Sequence, residues 1–260
     1  MVNAGKTALV TGASAGLGKE FCRQLARAGY QLVLVSRTRG DLETLADTLR
    51  EEFGVNSTVI AADLSEPDAP RAIYDELQGR GLAVDYLVNN AGIAGPALLE
   101  ERDWQRQQAF FQLMMLSVAH LCHLFVPPMV ERGWGRVINV GSVAGRIPRA
   151  GDCNYGPTKA WVIALSEELA LTVADRGVKV SALCPGFTHT EFHDRAGLTE
   201  MKNSLPKWFW YDAETVVREG LDAVERGKRV MVSGRLYRLL DPLFQSVWTR
   251  RFFTLSDGRN

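Results

Sequence analysis

The sequence predicts an α/β fold: a doubly wound parallel sheet covered by helices on both faces, three layers in a single domain. Three observations predict it. Short apolar runs alternate with longer helical patterns from Thr7 to Arg226, and a last apolar run ends at Val232. The runs are apolar almost throughout, as strands are when both faces of a sheet are covered. A glycine-rich turn joins the first run to the first helical pattern. Strands that alternate with helices imply parallel pairing through right-handed crossovers. The chain has 260 residues, no Pro/Ser-rich linker and no internal repeat, so one domain accounts for it.

The elements follow in chain order. Strands are expected at Thr7–Val10, Gln31–Ser36, Ser57–Ala61, Tyr86–Val88, Arg136–Val140, Lys179–Leu183 and Arg229–Val232. Helices are expected between them at Leu17–Ala28, Asp41–Phe53, Ala69–Gly79, Trp104–Arg132, Tyr155–Asp175 and Glu214–Arg226.

Composition removes several function classes. The formal net charge is zero, so no strong basic field invites nucleic acid. The apolar share of 46% is that of a globular chain rather than a disordered one. The beginning, MVNAGKTALVTG, has no long apolar stretch before a small-residue cleavage site. No apolar run approaches the about 20 residues of a membrane span. Cys22, Cys122, Cys153 and Cys184 are scattered without a CxxC pair, so neither a zinc site nor a disulfide framework is expected. His120 and His123 share a helical face beside Cys122 but lack a third ligand, so no metal is expected there. The expectation is a reduced, cytoplasmic protein.

The turn TGASAGLG carries Gly12, Gly16 and Gly18. Gly12 suits the tight turn after the strand, and Gly16 and Gly18 let backbone and helix approach a pyrophosphate. The helix start then offers free N–H groups to the anion. The second strand ends LVLVSRTRG, where a dinucleotide's adenosine ribose is read. An acid there suits a 2′-hydroxyl and an arginine a 2′-phosphate. Ser36 and Arg37 stand there, with no acid until Asp41, so NADP is expected over NAD.

Tyr155 and Lys159 are four apart and share a helical face. A tyrosine with its usual pKa near ~10 exchanges protons poorly at neutral pH, and a neighbouring ammonium lowers that value. Ser142 follows a buried strand, and its hydroxyl is suited to hold a substrate oxygen beside the phenol.

These motifs together resemble the short-chain dehydrogenase/reductase family over roughly residues 5–232. The motifs are TGASAGLG, AADLS (Ala61–Ser65), NNAG (Asn89–Gly92), the serine of NVGSVAG, YGPTK (Tyr155–Lys159) and CPGFTHT (Cys184–Thr190). The ending VERGKRVMVSGRLYRLL is most similar to reductases of the DltE-like and very-long-chain 3-oxoacyl reductase type. The resemblance implies a Rossmann-like fold and an NADPH-dependent ketone reductase with Ser142, Tyr155 and Lys159 as catalytic residues. It implies that Gly12, Ser14, Ala15, Gly16, Leu17 and Gly18 hold the phosphates, and that Asp63 and Leu64 flank the adenine. Asn90, Ala91 and Gly92 would line the ribose; Pro185, Gly186, Thr188 and Thr190 would touch the nicotinamide end and its phosphates. Tyr155 would protonate the carbonyl oxygen, and Lys159 would also bind the nicotinamide ribose. A homodimer or homotetramer through the two long helices is expected on the same ground.

One departure matters. The family's helix asparagine, which helps hold a water linked to the lysine, aligns with Met114, and no asparagine lies between Asn90 and Asn139. A thioether lacks the amide's donor. One reading keeps a working serine–tyrosine–lysine triad; the alternative is a slow or inactive NADP-binding sensor.

Residues 1–234 therefore read as the NADP-binding catalytic domain, with 187–211 as a substrate lid rich in aromatics (Trp208, Phe209, Trp210, Tyr211). His189 and His193 read as solvated lid residues, Gly197 and Pro206 lie in the same loop, and Cys153 as a pocket-wall residue. The lid favours a hydrophobic substrate: a 3-oxoacyl chain, a steroid-like body or an aromatic ketone. Residues 235–260 read as a basic amphipathic tail. Residues 226–260 hold eight Lys/Arg against two Asp/Glu, a local balance of +6. Asp241-Pro242 reads as a helix N-cap followed by its first residue, with Leu243, Phe244, Val247, Trp248 and Phe252 on one stripe and Arg250 and Arg251 near its end. Contact with an acidic membrane surface is one reading of that tail; packing on a partner subunit or on the pocket entrance is the other. A membrane-surface adaptor and a NAD-preferring alcohol dehydrogenase are the remaining alternatives to the reductase.

Overall fold

The computed structural model describes residues 5–151, 153–189, 209–249, 252 and 255–256. One sheet contains β1 (Thr7–Thr11), β2 (Gln31–Ser36), β3 (Ser57–Ala61), β4 (Tyr86–Asn89), β5 (Gly135–Val140), β6 (Val178–Cys184) and β7 (Val230–Val232). Their order across the sheet is β7-β6-β5-β4-β1-β2-β3, and every neighbouring pair is parallel. The order reverses between β1 and β4, which opens a crevice at the strands' carboxyl ends.

Alternation along the strands makes the three layers. Ala8 and Val10 of β1 face a cluster with Phe21 and Leu25 of α1 (Gly16–Arg27), Leu42 and Leu49 of α2 (Arg39–Phe53), and Val216 and Val224 of Ala213–Glu225. Leu9 between them faces Ile73 and Leu77 of α3 (Ala69–Gly79) and Leu121 and Phe125 of Ser117–Glu131. The fold is the single-domain, Rossmann-like α/β sheet expected.

The long helix expected from Trp104 is divided. It runs as α4 (Trp104–Phe111), a π-helical turn at Gln112–Leu116, and α5 (Ser117–Glu131). π turns insert a residue into the ladder and concentrate at functional sites. Taken together, Trp104–Glu131 is long and apolar enough in composition to cross a membrane, which the sequence reading did not anticipate. Phe110, Met114, Leu121, Phe125 and Met129 are nonetheless buried within the protein. The last helices are α6 (Tyr155–Thr172), α7 (Ala213–Glu225) and α8 (Arg235–Gln245).

The tail corrects the expectation. Asp241 is not an N-cap: α8 begins six residues earlier, after Gly234 at φ +92°, and contains Pro242. Glu219 accepts from the Ser233 hydroxyl at 2.8 Å and the Gly234 N–H at 3.0 Å, which sets the start. An Asp-Pro pair looks the same at a helix start and near its end; Pro242 removes only one backbone bond there. The helix stops at Gln245, so Leu243, Val247, Trp248 and Phe252 do not form one helical stripe, although all four are exposed. Arg250 and Arg251 lie outside the described residues.

Candidate active site

The crevice between β1 and β4 is lined first by backbone. Gly12 has φ +64° and Gly16 φ +52°, values that favour glycine. A Cβ on Gly18 would lie 2.0 Å from the Gly12 carbonyl oxygen, so only glycine fits. The Asn90 amide donates to the carbonyls of Thr11 at 2.9 Å and Gly12 at 3.3 Å. The Thr11 hydroxyl accepts from the N–H groups of Asn90 at 2.9 Å and Ala91 at 3.0 Å, and donates to Val88 O at 3.3 Å. TGASAGLG and NNAG are thus one unit. Thr11 was not foreseen as a site residue; its position at the head of the motif was the signal available.

Ser14, Ala15 and Leu17 sit half-buried on the turn, and no side chain caps α1 or places an acid in its first turn. Its first N–H groups are therefore suited to an anion. At the end of β2 the Ser36 hydroxyl is buried and has no hydrogen-bond partner, with the exposed Arg37 beside it. Burial works against the charge of Asp63, but the Ser65 hydroxyl and N–H, bound at 2.7 and 2.9 Å, and the Arg37 charge outweigh it. Its carboxyl stays below the usual range. Leu64 is buried next to it. An open helix start, an orphaned hydroxyl and a guanidinium fit a nucleotide carrying an extra ribose phosphate.

The second lining gathers Ser142, Tyr155 and Lys159. Ser142 follows β5 and caps a 3₁₀ turn, Val143–Gly145, its Oγ accepting from the Ala144 N–H at 3.1 Å. The hydroxyl's own hydrogen is left to donate. Tyr155 opens α6. The preceding Asn154 is buried and donates to Gln107 Oε1 at 2.6 Å and Pro96 O at 2.7 Å, which fixes the start of the helix. Lys159 is 6% exposed; its Nζ donates to Val140 O at 2.8 Å and lies 5.7 Å from the centre of the Tyr155 ring. Burial pushes its pKa down to about 8. The Val143 N–H donates to Pro185 O at 3.0 Å, which joins the serine turn to the Pro185–Gly186 segment after β6. The Thr188 hydroxyl donates to Gly186 O at 3.1 Å. Thr190 lies outside the described residues.

Met114 sits in the π turn, 1% exposed, and its sulfur accepts from the Ile93 N–H at 3.4 Å. A Cβ on Gly92 would stand 3.3 Å from that sulfur and 3.6 Å from Lys159 Nζ. The thioether and the lysine amine thus both border Gly92, and the sulfur does one part of an amide's work, accepting but not donating.

Of the expected lid, only 187–189 and 209–211 are described; His193, Gly197, Pro206 and Trp208 lie outside. Its two ends are joined: Thr188–His189 pairs with Tyr211–Asp212. Trp210 is buried, with the rings of Phe187 and His189 each 5.2 Å away. Cys153 occupies an exposed turn at φ +57°. His120 and His123 have ring centres 6.5 Å apart, and no group of three or more potential metal ligands occurs among the described residues. Sequence reasoning also missed Asn154, Gln107, Arg146 and Asp241, whose partners are distant in the chain.

The family model described as short chain dehydrogenase matches residues 6–200. The 3-oxoacyl-(acyl-carrier-protein) reductase FabG of Vibrio cholerae is 34% identical over 187 residues, 72% of this chain and 75% of that protein. A short-chain dehydrogenase from Sphingobium yanoikuyae, solved in complex with NADPH, superposes with a TM-score of 0.80 at 32% identity, covering 90% of this chain and 91% of that one. One from Burkholderia phymatum, solved with NAD, gives 0.81 at 26% identity, covering 94% of each. The family model covers most of the chain and the Vibrio relative is more than 30% identical over nearly three quarters of it: the chain belongs to the short-chain dehydrogenase family.

Proposed function

We propose that this protein is an NADPH-dependent reductase of hydrophobic ketones, reversible in direction. The observation that carries the reading is the buried Lys159 cation one helical turn from Tyr155. Gly12, Ser14, Ala15, Gly16, Leu17 and Gly18 would hold the pyrophosphate, Ser36 and Arg37 the ribose phosphate, and Asp63 and Leu64 the adenine. Asn90, Ala91, Gly92, Pro185, Gly186, Thr188 and, from the sequence, Thr190 would hold the rest. The nicotinamide, when bound, supplies or accepts the hydride. Ser142 orients the carbonyl oxygen with its free hydroxyl hydrogen. Tyr155 gives that oxygen its proton, and the Lys159 charge makes the phenol acidic enough to do so near neutrality.

Arg37 favours NADPH over NADH. The 3-oxoacyl activity in the name of the Vibrio relative, and the aromatic residues Phe187, Phe209 and Trp210 at the ends of the lid, support a hydrophobic substrate: a 3-oxoacyl thioester, a steroid-like ketone or an aromatic ketone. A cytoplasmic homodimer or homotetramer belongs to the same reading, with the exposed Trp104, Leu116 and Leu171 on the long helical elements available for assembly. The test is oxidation of NADPH, with NADH in parallel, against those three substrate classes for the wild type and Tyr155→Phe. Turnover that needs Tyr155 and prefers NADPH is expected. Nucleotide binding without turnover on any class would favour the sensor reading and point to Met114.

A further inference from the structure

The chain between Ser142 and Tyr155 carries both proposed hydrogen-bonding groups, and the tail lies along it. Arg146, in the middle of this segment, donates through Nε and Nη2 to the two carboxylate oxygens of Asp241 on α8, the second bond at 2.6 Å. The two side chains are 15% and 18% exposed. One turn on, Gln245 donates from Nε2 to the Arg146 carbonyl at 2.6 Å. Farther along, Leu255–Ser256 runs parallel to Arg149–Ala150 as a second pair of backbone strands. The tail therefore holds the segment at three places.

The same helix reaches the lid. The Tyr237 hydroxyl donates to Phe209 O at 3.1 Å and accepts from the Phe187 N–H at 3.4 Å, one contact at each end of the lid. Its ring fills the space where a Cβ on Gly186 would stand, 2.1 Å away. Glu219 of α7 anchors the helix through Ser233, Gly234 and Arg238. A two-bond guanidinium–carboxylate pair fixes direction as well as distance, and in a half-buried setting neither partner is readily replaced by water.

We propose that the C-terminal tail is a strap that positions the catalytic segment, and that Asp241 is its positioning residue. Asp241 does not touch the reacting atoms. It acts through Arg146, four residues beyond Ser142, by holding the 3₁₀ turn that aims the serine hydroxyl. The proposal rests on the catalytic reading of Ser142 and Tyr155, and the tail becomes part of the active site rather than an appendage.

The test uses the full chain with Asp241→Asn, which keeps shape and removes charge, and Asp241→Glu, which keeps charge. Three readouts are taken: steady-state ketone reduction, NADPH affinity by nucleotide fluorescence, and amide hydrogen exchange along 143–151. For Asp241→Asn, kcat should fall by about 10- to 100-fold, the scale of a small misplacement of reacting groups. NADPH affinity should stay within about twofold of wild type, because the glycine turn is held by β1 and β4. Exchange should quicken in 143–151 and not in the central strands. Asp241→Glu should recover part of both effects. A kcat unchanged in Asp241→Asn, or exchange quickened equally throughout the sheet, would overturn the strap. If the wild type turns over no ketone, the functional reading falls, and the exchange comparison still decides whether the tail holds the segment.

Discussion

The glycine turn after β1 and the segment from Ser142 to Tyr155 both lie at the carboxyl ends of the central strands, yet they are held differently. The glycine turn is shaped by its own residues: two positive φ values and a Gly18 with no room for a Cβ. Its long-range bonds run to the ends of neighbouring strands: Asn90 to Thr11, and the Ala13 N–H to Val35 O at 3.1 Å. The serine segment is shaped by others. Arg146 is held by Asp241, 95 residues away, and Asn154 by Gln107, 47 residues away. Backbone geometry makes the first region stiff and intolerant of any side chain. Side-chain pairs make the second tunable, which would suit the part of the proposed site that matches a substrate.

The comparison can be broken most sharply at its chemical centre. Tyr155→Phe should lower kcat by about 10²- to 10⁴-fold, the usual worth of a positioned acid, with NADPH affinity unchanged by fluorescence titration. Retained turnover would dissolve the catalytic role of the second region. On the first region, Gly18→Ala should destabilise the fold by roughly 3 kcal/mol, because the Cβ meets backbone rather than a movable side chain. A thermal melt reads this, and a melting point near that of wild type would show that the turn is less rigid than its geometry.

Charge sharpens the contrast further. Arg37→Asp should shift the NADPH-to-NADH preference in kcat/KM by about 10- to 100-fold toward NADH, since one charge-assisted bond is lost and a like charge faces the phosphate. At the other region, Lys159 loses its proton near pH 8. In the proposed mechanism the Lys159 ammonium assists Tyr155 and is present below that value, so the reduction rate should fall as pH rises through it. The stability effect has the opposite sense. Between about 8 and the ordinary lysine pKa the unfolded chain binds more protons than the folded one, so this group's contribution to stability rises with pH there. A pH profile of kcat/KM beside melts at the same pH values checks both.

The smallest effect is expected at Met114→Asn. The π turn and the Ile93 contact already exist, so turnover should change by less than about fivefold, near the worth of one hydrogen bond. A larger gain, read in the same ketone assay, would mean that the thioether limits proton supply.

Much of this was legible in the sequence. The seven strands, the glycine turn and the Tyr155–Lys159 pair depend on local patterns of apolar residues, glycine and spacing. The place of Arg37 was readable because it follows directly on the second strand, found at Gln31–Ser36 as expected. The break at Gln112–Leu116 was not, because a π turn leaves the helical pattern nearly intact. The start of α8 was misjudged because Asp-Pro suits a cap and a late turn equally well, and Glu219 decides between them from another helix.

By itself the sequence determined the doubly wound sheet and the family, because each follows from short-range residue patterns, and the same patterns singled out the proposed serine, tyrosine and lysine. Only the tertiary structure decided that Thr11 and Asn90 lock two motifs together, that the Met114 sulfur accepts from the Ile93 N–H, and that the tail lies along the segment from Ser142 to Tyr155. Those contacts join residues far apart in the chain, and no local pattern encodes which distant carboxylate an arginine such as Arg146 will find.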